Sequence, residues 1–163
     1  MEKSISSRRR FLCAAGVVAT TIILPNQVMG VLRKIKKPIK LGMIADLHQD
    51  VMHDGPARLK AFLDAMKEES PDALLQLGDF AYPTKKNDAV TKAFEKAHSR
   101  TLNVLGNHEI DGGHTFDAVA KLWGMKGRYY TENINGLDLI VLDCNEKPKN
   151  HKGGYPAHIG EQQ

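Results

Sequence analysis

The alternation of short apolar runs with amphipathic stretches constrains this chain more than any other feature of it. Residues 39–45, 73–77 and 101–105 are β-rich and apolar, and turn-forming residues bound each run. Residues 56–69 open on Pro and carry Leu59, Phe62, Leu63 and Met66 at helical i, i+3, i+4, i+7 spacing, and Ser70-Pro71 stops them. Residues 88–98 set Val90, Phe94 and Ala97 on one side, and residues 115–123 carry Phe116, Val119, Ala120 and Trp123 before Gly124. Strands alternating with helices predict a largely parallel sheet. The grammar then changes. Residues 128–134 and 137–143 flank Asn135-Gly136, the strongest short hairpin signal. The predicted order is β-α-β-α-β-α-β-β, an α/β start followed by an antiparallel hairpin.

A polar motif closes each of the first three predicted strands: Asp46-Leu47-His48, Gly78-Asp79 and Gly106-Asn107-His108-Glu109. Open parallel sheets form their sites outside the carboxyl ends of the strands, which is where these motifs fall. On extended backbone, Asp46 and His48 would project to one face. Gly78 and Gly106 allow sharp turns and close approach to a ligand. Two carboxylates, two imidazoles and an amide suit a pair of divalent metals. A bridging ligand needs two oxygens, and Asp79, in the middle motif, is placed to be one. Asp46 and His48 would then serve one metal and the Asn107 carbonyl oxygen the other. His108, left unligated, could protonate a leaving oxygen as general acid. Asp-x-His or Gly-Asp alone is weak, but a Gly-Asn-His-Glu run arises by chance in about one chain of this size in a thousand.

Residues 40–109 resemble the calcineurin-like metallophosphoesterase superfamily, whose pattern runs Asp-x-His, Gly-Asp, Gly-Asn-His-Asp/Glu, a lone His, then Gly-His-x-His. The first three blocks match residue for residue. The resemblance implies metal-dependent hydrolysis of phosphate esters in an α/β/β/α sandwich with two mixed sheets. It makes Asp46, His48 and Asp79 metal ligands with Asp79 bridging, Asn107 a ligand of the second metal, and His108 the catalytic imidazole. The two divalent ions would be manganese, iron or zinc. Gly78-Asp79-Phe80-Ala81-Tyr82 also resembles the Gly-Asp-x-x-Tyr block of purple acid phosphatases, where Tyr binds ferric iron and the first block lacks its His. Here His48 and Tyr82 would compete for one metal, and the reading adopted is His48 as ligand with Tyr82 as a wall residue.

The superfamily's last two blocks, which would supply three more ligands, do not follow Glu109; the later His151 and His158 lie in a polar terminal loop. Residues 39–163 therefore read as the N-terminal portion of a metallophosphoesterase domain. The competing expectation is a truncated, non-catalytic remnant or split half that binds metal incompletely.

Residues 1–30 read as a signal peptide and 31–38 as a basic linker. Ser7-Arg8-Arg9-Arg10-Phe11-Leu12 resembles the twin-arginine export signal, with Cys13 in place of its final Lys. The apolar run at 11–24 falls short of the roughly 20 residues a membrane-spanning helix needs. The expected destination is periplasmic or extracytoplasmic, by transient contact with the twin-arginine machinery and with no stable membrane span after cleavage. Lys3, Arg8, Arg9 and Arg10 against Glu2 hold +3 of the chain's net +4 in this leader, so the charge implies no nucleic-acid partner. The partner expected instead is a small phosphoester. Without Cys13, Cys144 stands alone, and its place at the end of an apolar run predicts a small packing residue. Glu109 reads as a first-turn carboxylate, Asp111-Gly112-Gly113 as a flexible loop beside the site, and Lys85-Lys86 as a solvated pair.

Overall fold

The computed structural model describes residues 37–163; the expected leader and most of the linker lie outside the described residues. The elements are β1 (Leu41–Ile44), α1 (Gly55–Glu69), β2 (Ala73–Gln76), a 3-10 turn (Lys85–Asn87), α2 (Asp88–Ala97), β3 (Thr101–Asn103), α3 (His108–Asp111), α4 (Phe116–Trp123), β4 (Tyr130–Ile134) and β5 (Leu137–Val141). The predicted elements all form, and every strand is one or two residues shorter at one or both ends. The 3-10 turn has no signal in the sequence, and α3 begins inside the third motif, at His108; long-range contacts rather than periodicity hold the chain at both.

β1, β2 and β3 form a parallel sheet with β2 in the centre, and Leu41 pairs with Ala73 while Leu74 pairs with Thr101. Side chains alternate across it. Leu74 joins one core with Leu59, Val90, Phe94, Val119 and Trp123, under the helices. Ala73, Leu75 and Leu102 face the other way, against Ile134, Tyr130 and Leu139 of the hairpin. The described residues thus stack helices, parallel sheet and antiparallel hairpin, an α/β/β part of the layer order implied by the resemblance.

Local chemistry sets the ends of the elements. Pro56 occupies the first turn of α1, and Ser70 ends that helix in the left-handed region (φ 49°) with its N–H on Met66 O. Thr115 caps α4 by accepting from Ala118 N–H, and Gly124 closes it at φ 56°. Asn135 and Gly136 both have positive φ, 53° and 99°, as a type I′ hairpin turn requires. Beyond β5, Asp143 is fully buried and accepts from Arg128 Nε at 2.6 Å, while the Arg128 guanidinium lies 5.5 Å from the Phe116 ring centroid. Asp143, not Cys144, takes the inward position there. Cys144 is exposed, contrary to the packing role its apolar neighbours predict. Among the described residues no helix is long and apolar enough to cross a membrane.

Candidate metal centre

The loops after β1 and β2 extend the sheet's pairing past its strands. Asp46 N–H donates to Gly78 O at 3.2 Å, His48 N–H to Asp79 O at 2.9 Å and Gln49 N–H to Phe80 O at 3.0 Å. Leu47 is fully buried between Asp46 and His48 and pins the first loop in the core. Its carbonyl and that of Asp46 accept from the Arg58 guanidinium on α1. The two flanking side chains do not reach the site by strand alternation, as extended backbone would have it. Asp46 and His48 sit at φ 54° and 47°, and Asp79 at 53°. Left-handed backbone costs a non-glycine residue of order 1 kcal/mol, and such outliers cluster at functional sites.

Glycine is required where the second and third motifs meet. A Cβ on Gly78 would lie 2.8 Å from Gly106 Cα, and one on Gly106 would lie 2.3 Å from Asp79 N. Backbone therefore meets backbone, a packing that no side chain permits. Two buried polar side chains tie the junction. Gln76 donates from Nε2 to Val104 O at 3.0 Å and accepts from Gly78 N–H at 2.7 Å. Glu109, with no exposed surface, accepts from Gly106 N–H at 2.8 Å, Asp79 N–H at 3.1 Å and Phe80 N–H. Burial pushes its carboxyl up to about 7, against the pull of the Phe80 and Asp79 N–H groups, which favour the charged form. Glu109 is in the first turn of α3, as read from sequence, but its work is to clamp the second motif onto the third.

These contacts bring Asp46, His48 and Asp79 together, one ligand atom from each lying within 4.8 Å of the others. His48 Nε2 is 3.8 Å from Asp46 Oδ1 and 3.6 Å from Asp79 Oδ2. Bonds of about 2.1 Å at tetrahedral angles separate donor atoms by about 3.4 Å, so one divalent ion fits this group with little adjustment. An imidazole with two carboxylates suits zinc, iron or manganese. The Asp46 side chain is 70% exposed and that of Asp79 19%, so the group opens to solvent on the Asp46 side. Asp79 Oδ1 accepts from His108 N–H at 2.9 Å, which fixes the carboxylate's orientation.

Asn107 precedes α3 and donates from Nδ2 to Asp111 Oδ2 at 3.1 Å; its backbone carbonyl accepts from Ile110 and Asp111 N–H, and its side-chain Oδ1 accepts no hydrogen bond among the described residues. The buried His108 ring packs between two others. The His48 ring is 4.6 Å away, edge-on, and the Tyr82 ring is 4.3 Å away, stacked at 17°. On its other side Tyr82 has the His114 ring, 5.3 Å away. Sequence reasoning passed over Asp50 and Asn87, which lie behind His108. The only signal was the continuation of Asp46-x-His48 into x-Asp50, an extra carboxylate in the same spacing.

The family model for calcineurin-like phosphoesterases matches residues 39–162, and the chain belongs to that family. No curated protein matches it.

Proposed function

We propose that, as a calcineurin-like phosphoesterase, this chain hydrolyses small phosphate esters with a two-metal site and a histidine general acid. Family membership itself implies metal-dependent phosphoester hydrolysis. The observation that carries the finer reading is the convergence of Asp46, His48 and Asp79 beside the buried His108 ring. Asp46 and His48 would hold one ion, Asp79 would bridge, and the Asn107 carbonyl oxygen would serve the second. Bound metals of this kind supply an acidified water and charge neutralisation on the phosphoryl oxygens. His108, excluded from bulk water and fixed between two rings, would give a proton to the leaving oxygen. Tyr82 stays a wall residue, so an iron-loaded sample lacks the colour of a tyrosinate–iron centre. The twin-arginine-like leader supports export as the destination.

The test is phosphate release from 4-nitrophenyl phosphate and an alkyl phosphate after loading with manganese, iron or zinc. His108→Gln is expected to lower kcat about 100-fold or more on the alkyl ester, the usual worth of a positioned general acid, with metal content unchanged. Metal bound without any hydrolysis would favour the competing reading, a non-catalytic metal-binding remnant.

A further inference from the structure

On the helical side of the parallel sheet, a groove of about 740 Å3 runs between α1 and α2. Leu59, Leu74 and Val90, all buried, form its floor, and the half-buried Leu63 and Met66 of α1 form one wall. The α2 wall presents only methyl groups there, from Ala93 and Ala97, and both residues are exposed. Packed helices normally fill such a gap with interdigitating side chains. Here the helices cannot slide together to close it, because three-residue links tie α1 to β2 and α2 to β3. The space left open has the size of a small-molecule pocket, about 300–1,000 Å3.

The charge around this groove has one sign. Both helices return from the carboxyl ends of parallel strands, so they run side by side and their last turns meet at one end of the groove. That end carries Lys67, Lys96 and His98, with Lys60 further up α1. Lys60 and Lys67 share a single carboxylate, Asp64, at 2.5 and 3.2 Å. Lys96 makes no ion pair among the described residues. Nδ1 of His98 is engaged by the Arg100 backbone, and its Nε2 has no partner among the described residues. Three ammonium groups therefore face one carboxylate around an apolar trough, and lysine stems lie readily along such a rim.

We propose that this groove binds a free single-chain fatty acid. The carboxylate sits among Lys67, Lys96 and His98, and the acyl tail runs over Leu63 and Val90 towards Leu59. A neutral guest would leave the excess cations unused, and a cationic guest would oppose them. A partner helix, about 10 Å across, would need more than this volume over the roughly 20 Å from Pro56 to Ser70, so one acyl chain is the better fit. The head-group end lies at the opposite end of the strands from the metal centre, and the site does not depend on the chemistry there.

Isothermal titration of the full chain with dodecanoate, below its micelle concentration, tests this. Saturable one-to-one binding is expected, with affinity rising about fourfold per added methylene from octanoate to dodecanoate and the Met66 methyl NMR signal shifting in step. Dodecyltrimethylammonium is expected to bind about tenfold more weakly or worse. Ala93→Trp fills the trough from an exposed helix position and should lower dodecanoate affinity about tenfold or more. Lys96→Gln should weaken dodecanoate by roughly fivefold to tenfold and leave dodecanol unchanged, and it reads the site even where Ala93→Trp fails to fold. No saturable binding, equal affinity for the anionic and cationic probes, or unchanged affinity in folded Ala93→Trp overturns the proposal. Binding to phosphatidylglycerol vesicles without binding of monomeric dodecanoate would assign the groove to a membrane surface and overturn it. A wild-type dimer on gel filtration that Ala93→Trp dissociates would assign it to a second copy of the chain and also overturn it.

Discussion

Around the strand-end loops the buried groups include Gln76, Asn87, His108 and Glu109, whereas the β4–β5 hairpin buries Ile134 and Val141 and turns Ile140 outward, 70% exposed. The loops are held by side-chain hydrogen bonds to backbone and by glycines that touch each other's backbone. The hairpin is held by strand alternation and one turn. The first plan specifies geometry, because each buried donor must find its acceptor within a few tenths of an ångström. The second specifies only a face, and side chains of similar volume can substitute. Chemistry is expected from the first region, and from the second only support.

Substitutions in the two regions should therefore behave differently. The largest effect is expected from Asp79→Asn. Removing the carboxylate charge should lower phosphoester turnover by about a thousandfold, several kcal/mol of transition-state stabilisation, and steady-state kinetics reads it. Ile134→Ala, in the hairpin, should leave turnover of the folded protein unchanged. Next comes stability. Glu109→Ala strands three backbone N–H groups and should cost about 3 kcal/mol by urea unfolding, with loss of metal affinity. Ile134→Ala should cost a similar 3 kcal/mol or so by cavity formation, with metal affinity kept. If both lose metal equally, the two regions are not physically distinct.

The glycines give a smaller version of the same comparison. Gly106→Ala forces a Cβ into the Asp79 backbone and should cost about 2–3 kcal/mol. Gly136→Ala meets nothing within 4 Å and suffers only its φ of 99°, about 1 kcal/mol.

The smallest effect is pH-dependent. Asp72 accepts from Lys40 N–H and from Asn135 at the hairpin turn; with Lys37 nearby, these hold its carboxyl below the usual range, the Lys40 N–H most strongly. A lowered folded value means stability present above the ordinary value near pH 4 and lost as pH falls through the folded one. Asp72→Asn should lose that small increment at neutrality and leave stability nearly unchanged once pH is below the folded value, so the acid limb of the unfolding curve flattens below about pH 4.

Much of this was legible before the fold was known. The hairpin followed from Asn135-Gly136 and alternation, and the α1 and α4 boundaries from Pro56, Ser70-Pro71 and Gly124. The three motifs were legible as a set, and the structure brings Asp46, His48 and Asp79 to one place. The means were not legible. Asp46 and His48 converge through left-handed backbone rather than an extended strand, because Leu47 is drawn into the core. Glu109, Gln76 and Asn87 gave no periodic signal, since their partners lie about 30 residues away in sequence and appear only when the loops dock. Cys144 was misread because periodicity cannot foresee a buried Asp143–Arg128 pair taking the inward position.

If the strand-end motifs build one metal centre, metal content per chain, measured after gel filtration of wild type and Asp79→Asn, must depend on the Asp79 carboxylate. Two divalent ions retained by the wild type and lost from the folded variant is the predicted result; equal metal content in the two proteins would contradict it.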